Sequence, residues 1–596
     1  GVPVDGWDGG TRRAGAEGNT AAGGHAARAQ RHHLLPALWA LQERIGWISP
    51  GGLNYLCTRL TVPLADAYGV ATFYAMLSVE PRPSRVLHVC EDVACRCRGS
   101  IDLIAQIEEW FGSQGTLSDD GSATWLRSPC LGQCERAPAA LLSISGESHV
   151  EQALVDASAD GLLDLLSGAT PPAPVQQAPL RQARSTTRLL RRVGAVDPGS
   201  IDEYRAHGGY AALRRALELG PEGVLRELAD AKLQGRGGAA FPTATKWEAV
   251  QRQPRRPHYV VCNADESEPG TFKDRVLIEG DPFAIVEAMT IAGLAVGAER
   301  GYVYIRGEYP EATHALERAI EGARHHGLLG ADILGRGVAF EIEIRRGAGA
   351  YVCGEETAIF ESIEGRRGEP RNKPPFPVTH GLFGKPTVVN NVETLVNVLD
   401  IVLAGGPGYA ETGTSVSTGT KLFCLSGCVE RAGVYEVPFG TTLRSLLELA
   451  GGVAEGRPLQ CILMGGAAGG FLGPDDLDLP LTFEDARAAG TTLGSGVVVV
   501  MDDTVDLPRM LMRIAAFFRD ESCGQCVPCR VGTVRQEEAL ARLLSGETRG
   551  GVAGELHVIR EVGQCMRDAS ICGLGQTASA AIESAIDRLG VFGSPA

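Results

Sequence analysis

The chain has 596 residues, 56 Lys and Arg against 72 Asp and Glu, a formal net charge of −16 and 44% hydrophobic residues. That length supports several domains with their own cores, and the acidic balance excludes a general attraction for nucleic acid. No run of 18 apolar residues and no apolar leader segment occur, so neither a membrane span nor a secretory signal is expected, and the expected compartment is the cytoplasm.

Sixteen cysteines in a reducing compartment point to metal ligands and buried thiols rather than disulfides. Residues 1–30 are Gly, Ala and polar without apolar period and read as a disordered arm. Over 31–82, Leu34, Leu35, Leu38, Trp39 and Leu41, then Leu53, Leu56 and Leu60, recur at helical spacing and predict a helical bundle. Over 83–167 a strand, Val86–Val89, runs into Cys90, followed by a helix at Ile101–Phe111 and a strand at Ala140–Ser145. Residues 168–200 carry four prolines in their first half and five arginines with no acid before Asp197, which reads as a linker, extended at its proline end and lying on an acidic neighbour.

From 201 to 415 strands and helices alternate: Tyr259–Cys262, the helix Phe283–Val296, Tyr302–Ile305 and the helix Pro310–His326. Such alternation favours a parallel, Rossmann-like sheet. Over 416–503 short strands surround one helix, Thr442–Ala450, as in a β-grasp-like module, and 504–596 is helical in pattern. The fold class is therefore multidomain α/β.

Two cysteine groups carry chemistry. Cys90 and Cys95 are spaced C-x4-C, and Cys130 and Cys134 are spaced C-x3-C. Two thiolate pairs from two loops can close around a 2Fe-2S rhomb; tetrahedral zinc and unligated buried thiols are the alternatives, with Cys97 as a spare thiol able to substitute. Near the C-terminus Cys523, Cys526 and Cys529, spaced C-x2-C-x2-C, cap three corners of a 4Fe-4S cube, which needs one thiolate per iron. Cys565 and Cys572 are the candidates for the fourth.

Four further blocks lie between Leu233 and Thr394. "LQGRGGAAFPTATKW" contains G-x-G-x-x-A at Gly235, Gly237 and Ala240, where backbone N–H groups could approach a phosphate with Arg236 and Lys246 to neutralise it. The alternative is a tight turn with surface cations, and the helical pattern of Val224–Leu233 argues against an ordinary dinucleotide fingerprint. "YVVCNADESEPGTFKDR" places Asn263, Asp265, Glu266 and Glu268 at a strand's carboxyl end, where α/β sheets bind ligands, the alternative being a solvated acidic loop. "RRGAGAYVCGEETA" sets Glu355 and Glu356 after a strand-like Tyr351–Cys353, and "RNKPPFPVTHGLFGKPTVVNNVET" offers Lys373, Phe376, Asn390 and Asn391. Together these blocks point to one large nucleotide site.

"VATFYAML" (Val70–Leu77) and the N-terminal cysteine spacings resemble the 24-kDa-type subunit of respiratory complex I over about residues 33–165. The later blocks in order, with "SGCVERAGVYEVPFGTT" (Ser426–Thr442) and the closing cysteines, resemble its FMN- and NADH-binding 51-kDa-type subunit over about 200–590. The first resemblance implies a helical bundle and a thioredoxin-like domain with one 2Fe-2S cluster on Cys90, Cys95, Cys130 and Cys134. The second implies FMN, NAD(H), an SLBB-like β-grasp domain and one 4Fe-4S cluster whose last ligand lies in a Ser-x-Cys turn, here Cys572, leaving Cys565 structural.

Carried over residue by residue, the resemblance implies that Gly235, Arg236, Gly237 and Gly238 with Lys246 cradle the FMN phosphate. Asn263, Asp265, Glu266, Tyr351, Gly354, Glu355, Asn390, Asn391 and Thr394 would bind the flavin and ribityl chain. Phe241 would stack on adenine, Glu268 and Glu356 would orient NADH over FMN without shuttling protons, and Lys373 and Phe376 would line the entrance. Ala240 and Ala244 stand where the family usually has glycine, and Ala249 where some members have a second aromatic.

The two-subunit fusion, with "DESCGQCVPCRVGT" and "GQCMRDASICGLGQTAS", looks most like the β subunit of NAD-dependent formate dehydrogenase. It implies a diaphorase in a hetero-oligomer, partnered by an iron-sulfur and molybdopterin (Mo or W) α subunit and without direct membrane insertion. The diaphorase subunit of an NAD-reducing hydrogenase or of complex I is the alternative, and a non-enzymatic iron-sulfur scaffold sensing NADH is a reading from another class.

Overall fold

A computed structural model describes residues 30–174, 182 and 187–593. The arm expected over 1–30, except for its last residue, and part of the expected linker lie outside those residues. Three helices, Leu34–Ile45, Pro50–Leu60 and Leu64–Ala71, form the first unit. Their apolar stripe buries Leu34, Leu35, Leu38 and Trp39, and it packs well beyond the unit itself: the Trp39 indole N–H donates to the Gly347 carbonyl at 3.0 Å.

Next, strands β1 (Arg85–Cys90), β2 (Ala123–Ser128), β3 (Ala140–Ile144) and β4 (Val150–Leu154) form a sheet in the order β2-β1-β3-β4. β1 and β2 are parallel, and the other pairs are antiparallel. Helices Ser100–Phe111 and Ala159–Leu166 cover it, burying Leu103, Ile104, Leu162 and Leu165 against Leu87, Val89 and Trp125.

The central sheet is parallel throughout: β5 (Tyr259–Ala264), β6 (Arg300–Ile305), β7 (Glu341–Arg346) and β8 (Thr387–Asn391), in the order β7-β6-β5-β8. Helix Pro282–Val296 is buried on nearly every side, which is why its sequence is apolar all round. β6 lies on one flank of β5 and β8 on the other, so the order reverses at β5, and Asn263 and Asn391 face each other in register at the carboxyl edge. Such a switch point opens a crevice for ligands.

A mixed sheet follows, β9 (Thr420–Gly427), β10 (Gly433–Pro438), β11 (Leu459–Met464), β12 (Gly470–Leu472) and β13 (Val497–Asp502), in the order β10-β9-β13-β11-β12. Helix Leu443–Leu449 packs on it, and a second short helix, Phe483–Ala488, joins the expected one. Helices Leu507–Glu521, Val527–Ser545, Gly551–Ala569, Gly573–Thr577 and Ala580–Leu589 complete the chain. Among the described residues no helix is long and apolar enough to cross a membrane.

Two expectations are corrected. The second half of the expected linker is part of the core: Leu189, Leu190 and Val193 are buried, and the Glu436 carboxylate accepts the N–H groups of Arg188, Leu189 and Leu190 at 2.9–3.1 Å. Its arginines find acids, Arg191 with Asp400 at 2.7 Å and the buried pair Arg192–Asp281 at 2.8 Å. Tyr351–Cys353 is not a strand but part of a 3-10 turn, Tyr351–Gly354. The strand ends at Arg346 ahead of the Gly347–Ala350 stretch, and Glu355 caps the following helix by accepting from Thr357 and Ala358 N–H at 2.8 and 2.9 Å.

Candidate functional site

A cleft of about 400 Å³ opens at the switch point. The glycine loop contributes Gly237 and Gly238, the end of β5 contributes Asn263, Asp265, Glu266 and Glu268, and Tyr351, Gly354, Glu355 and Asn391 complete the predicted part of its wall. A Cβ on Gly237 would sit 3.0 Å from that of Asn391, so glycine there keeps the passage open. The loop is held from below by Gly235 N–H on the Phe241 carbonyl (2.9 Å) and Arg236 N–H on the Thr394 hydroxyl (2.8 Å).

Several predicted residues stand behind or beside the wall. Arg236 is fully buried: its guanidinium donates to the Thr418 carbonyl (2.7 Å) and the Tyr409 hydroxyl (3.2 Å) and stacks 4.6 Å from the Phe439 ring. Its side chain therefore buttresses the loop and does not face a phosphate, correcting the expectation drawn from its position between glycines. Asn390 accepts the Trp247 indole N–H at 2.7 Å, also behind the wall. Lys246, Glu356 and Lys373 form a rim network, with Lys246 3.4 Å from Glu356, and Lys373 2.8 and 2.9 Å from Glu355 and Glu356. Phe241 and Phe376 are exposed, and the Lys246 ammonium lies 5.7 Å from the Phe241 ring centre.

The acidic residues differ in their environments. Glu266 accepts N–H from Asp274 and Arg275, both at 2.9 Å, and a hydroxyl from Thr271, while burial and the Asp274 charge push its carboxyl up to about 7. Glu268 accepts the Tyr351 hydroxyl and the Ala468 N–H (2.8 Å), and withdrawal from water again raises it to about 7. Burial pushes Asp265 well above the usual carboxylate range, and its Oδ2 has no protein partner.

Sequence reasoning missed the far wall. It comes from the loops of the mixed sheet, Gly465, Ala468, Thr492, Gly494 and Ser495, and from Gly573, Leu574 and Thr577, just after Cys572. The glycine-rich "MGGAAGG" (Met464–Gly470) and "TTLGSG" (Thr491–Gly496) were the available signals. Ser495 Oγ and Asp265 Oδ2 are buried in this wall without protein partners, as expected where a polar ligand supplies them. The glycine cradle, these two atoms and the cleft volume fit a flavin nucleotide.

Cys90, Cys95, Cys130 and Cys134 are buried together, the Cys130 and Cys134 sulfurs 3.3 Å apart. Cys97 turns away to Cys428, whose sulfur lies 4.0 Å from the Cys97 carbonyl oxygen. Cys523, Cys526, Cys529 and Cys572 line one small pocket, whereas Cys565 is exposed and outside it. Among the described residues, the one three-donor group with all donor atoms within 4.8 Å of one another is Glu43, His149 and Glu151, and Arg346 already pairs with both glutamates. Neither cysteine set closes that tightly, and sulfurs on a single zinc stand about 3.8 Å apart, so both donor sets suit the wider span of an iron-sulfur cluster.

The sequence matches the thioredoxin-like [2Fe-2S] ferredoxin family over residues 22–164 and the Nuo51 FMN-binding domain over 228–400. It also matches the SLBB domain over 422–472 and the NADH-ubiquinone oxidoreductase-F iron-sulfur binding region over 509–590. It is 44% identical over 400 residues to the NADH-quinone oxidoreductase F-type subunit 2 of Rhizobium meliloti, spanning 67% of this chain and 94% of that one. The chain belongs to the family of NADH-quinone oxidoreductase F subunits.

In this member of the family a 24-kDa-like thioredoxin domain is fused ahead of the 51-kDa-type part. The chain is also 43% identical over 408 residues to NADP-reducing hydrogenase subunit HndC of Solidesulfovibrio fructosivorans, covering 68% of this chain and 82% of that one. A chain of the air-oxidized NAD+-reducing [NiFe]-hydrogenase superposes with a TM-score of 0.80 at 31% identity, over 95% of this chain and 94% of that chain. The protein is an NAD(H)-dependent flavin and iron-sulfur oxidoreductase subunit of NADH dehydrogenase type, with FMN, NADH, one 2Fe-2S and one 4Fe-4S cluster as its cofactors.

Proposed function

We propose that this subunit exchanges hydride with NAD(H) at the cleft and passes single electrons to a molybdenum- or tungsten-dependent α subunit in an NAD-dependent formate dehydrogenase. The observation that carries the diaphorase reading is a shared wall: Val352 and Leu574 line both the cleft and the pocket of Cys523, Cys526, Cys529 and Cys572. One layer of side chains separates hydride chemistry from the first thiolate-bound acceptor. FMN, when bound, supplies the conversion between two-electron and one-electron transfer.

The protein's part is binding and orientation. We assign Gly235, Gly237 and Gly238, with Lys246 reaching in from the rim, to the phosphate end. Asn263, Asp265, Gly354, Glu355 and Asn391 are assigned to the flavin, with Arg236, Asn390 and Thr394 supporting them from behind. Glu268, fixed by Tyr351 and Ala468, and Glu356 would orient the nucleotide, with Lys373, Phe241 and Phe376 at its entrance. Cys90, Cys95, Cys130 and Cys134 would hold the 2Fe-2S cluster, and Cys523, Cys526, Cys529 and Cys572 the 4Fe-4S cluster. In this reading the functional units are 31–82, 83–167, 201–415, 416–503 and 504–596.

The formate dehydrogenase assignment is supported by the motifs around Cys523 and Cys572. A hydrogenase partner is the second reading, favoured by the near full-length similarity to the [NiFe]-hydrogenase chain. Both make the subunit part of a hetero-oligomer. Metal analysis of the co-purified complex tests the choice: molybdenum or tungsten in a large partner is expected, and nickel overturns it. A flavin-loaded chain that binds NADH but never reduces ferricyanide would instead favour a sensing scaffold.

A further inference from the structure

Buried arginines from distant parts of the chain close on the loop that carries Cys130 and Cys134. Arg306, just beyond β6, donates to the Cys130 carbonyl at 2.6 Å and to the Glu266 carbonyl at 2.8 Å, and pairs with Glu308 at 2.7 Å. Arg275 donates to the Gly132 carbonyl at 2.9 Å and pairs with Glu135 and Glu279. On the other side Asp92 accepts the Cys130 N–H at 3.1 Å and pairs with Arg513 of helix Leu507–Glu521 at 3.4 Å. Arg275 and Arg306 stand 143 and 176 residues from the atoms they hold.

Arg306 is the informative member. Cys130 belongs to the predicted 2Fe-2S set and Glu266 to the flavin cleft, so one guanidinium grips the main chain of both redox sites. A cavity of about 250 Å³ between them is lined by Cys130, Ser267, Arg306, Glu308 and Tyr351. We propose that Arg306 is a positioning residue that sets the reduction potential of the 2Fe-2S cluster, and thereby how fully NADH can charge it. The inference rests on the assignment of Cys130 to that cluster.

Reduction of the cluster is uptake of one electron, with no bond made or broken. It adds one negative charge inside the protein, where solvent screens poorly and a fixed cation stabilises the reduced form. Glu308 opposes part of that field. Burial pushes its carboxyl up, but the Arg306 guanidinium outweighs this and holds it below the usual range. Removing either charge should therefore move the potential in opposite directions.

The test is a redox titration of the holo full chain followed by EPR, with the 4Fe-4S signal as reference and with iron and FMN contents measured in each sample. Arg306→Gln should lower the reduced-to-oxidised ratio of the 2Fe-2S cluster at a given potential by on the order of tenfold, about 59 mV for a one-electron couple. Arg306→Lys should restore part of the shift, and Glu308→Gln should raise the ratio, with the 4Fe-4S midpoint unmoved. If Arg306→Gln loses the cluster, Glu308→Gln, which keeps the side chain's shape, decides alone. An unchanged 2Fe-2S midpoint in Glu308→Gln, or shifts of the same sign in both variants, overturns the proposal. A 2Fe-2S signal that survives in Cys130→Ser refutes the ligand assignment instead.

Discussion

Gly466 offers a sharp test of how the mixed-sheet loops serve the cleft. It has φ +83, and a Cβ placed on it would lie 2.6 Å from Glu268 Oε1. Gly466→Ala must therefore displace Glu268 from the Ala468 N–H that it accepts at 2.8 Å. The left-handed backbone alone costs about 1–2 kcal/mol. A lost hydrogen bond to a charged group costs about 1.5–3 kcal/mol. If Glu268 orients the nucleotide, the second figure falls on kcat/KM for NADH and lowers it by about 10- to 150-fold. Gly452→Ala is the control, because Gly452 has φ +81 with nothing near a Cβ, so it carries the backbone cost without the clash. NADH:ferricyanide kinetics normalised to FMN content provide the assay. If Gly466→Ala stays within about twofold of Gly452→Ala, Glu268 does not act through this contact.

Two other outcomes follow from the geometry. Cys572→Ser should abolish the 4Fe-4S EPR signal on reduction and remove about four of the six irons that the two clusters hold, while Cys565→Ser keeps both; the reverse pattern transfers the ligand. Withdrawal from water raises Glu268 to about 7, so its carboxylate predominates only above that value. KM for NADH should then fall as pH rises through about 7, with Glu268→Gln flattening the step, and a wild-type profile flat through neutrality removes Glu268 from nucleotide binding.

Much of the site was legible because its chemistry is local. Gly237 and Gly238, the acids after Cys262, and Asn391 sit where strand ends and a glycine loop must put them. Arg236 shows the limit: its neighbours line the cleft, but which way its side chain turns depends on Tyr409, Thr418 and Phe439, all more than 170 positions away. The same holds for Arg188–Val193, read as linker from prolines and arginines, yet anchored by Glu436 and Asp281. Tyr351–Gly354 was misread because an apolar triplet looks the same in a strand and in a turn.

By itself the sequence determined the order of the units, the parallel sheet with ligand groups at its carboxyl edge, and two sets of cysteines. These follow from short-range periodicity and spacing, which residues carry wherever they stand in the chain. Tertiary structure alone decided that Cys572 rather than Cys565 joins the trio, that Cys97 leaves the other set for Cys428, and that the mixed-sheet loops close the cleft. It also brought Arg306 between Cys130 and Glu266. Those outcomes depend on packing between distant segments, where a buried charge or thiol goes to the partner that satisfies it, and spacing in the chain does not record that partner.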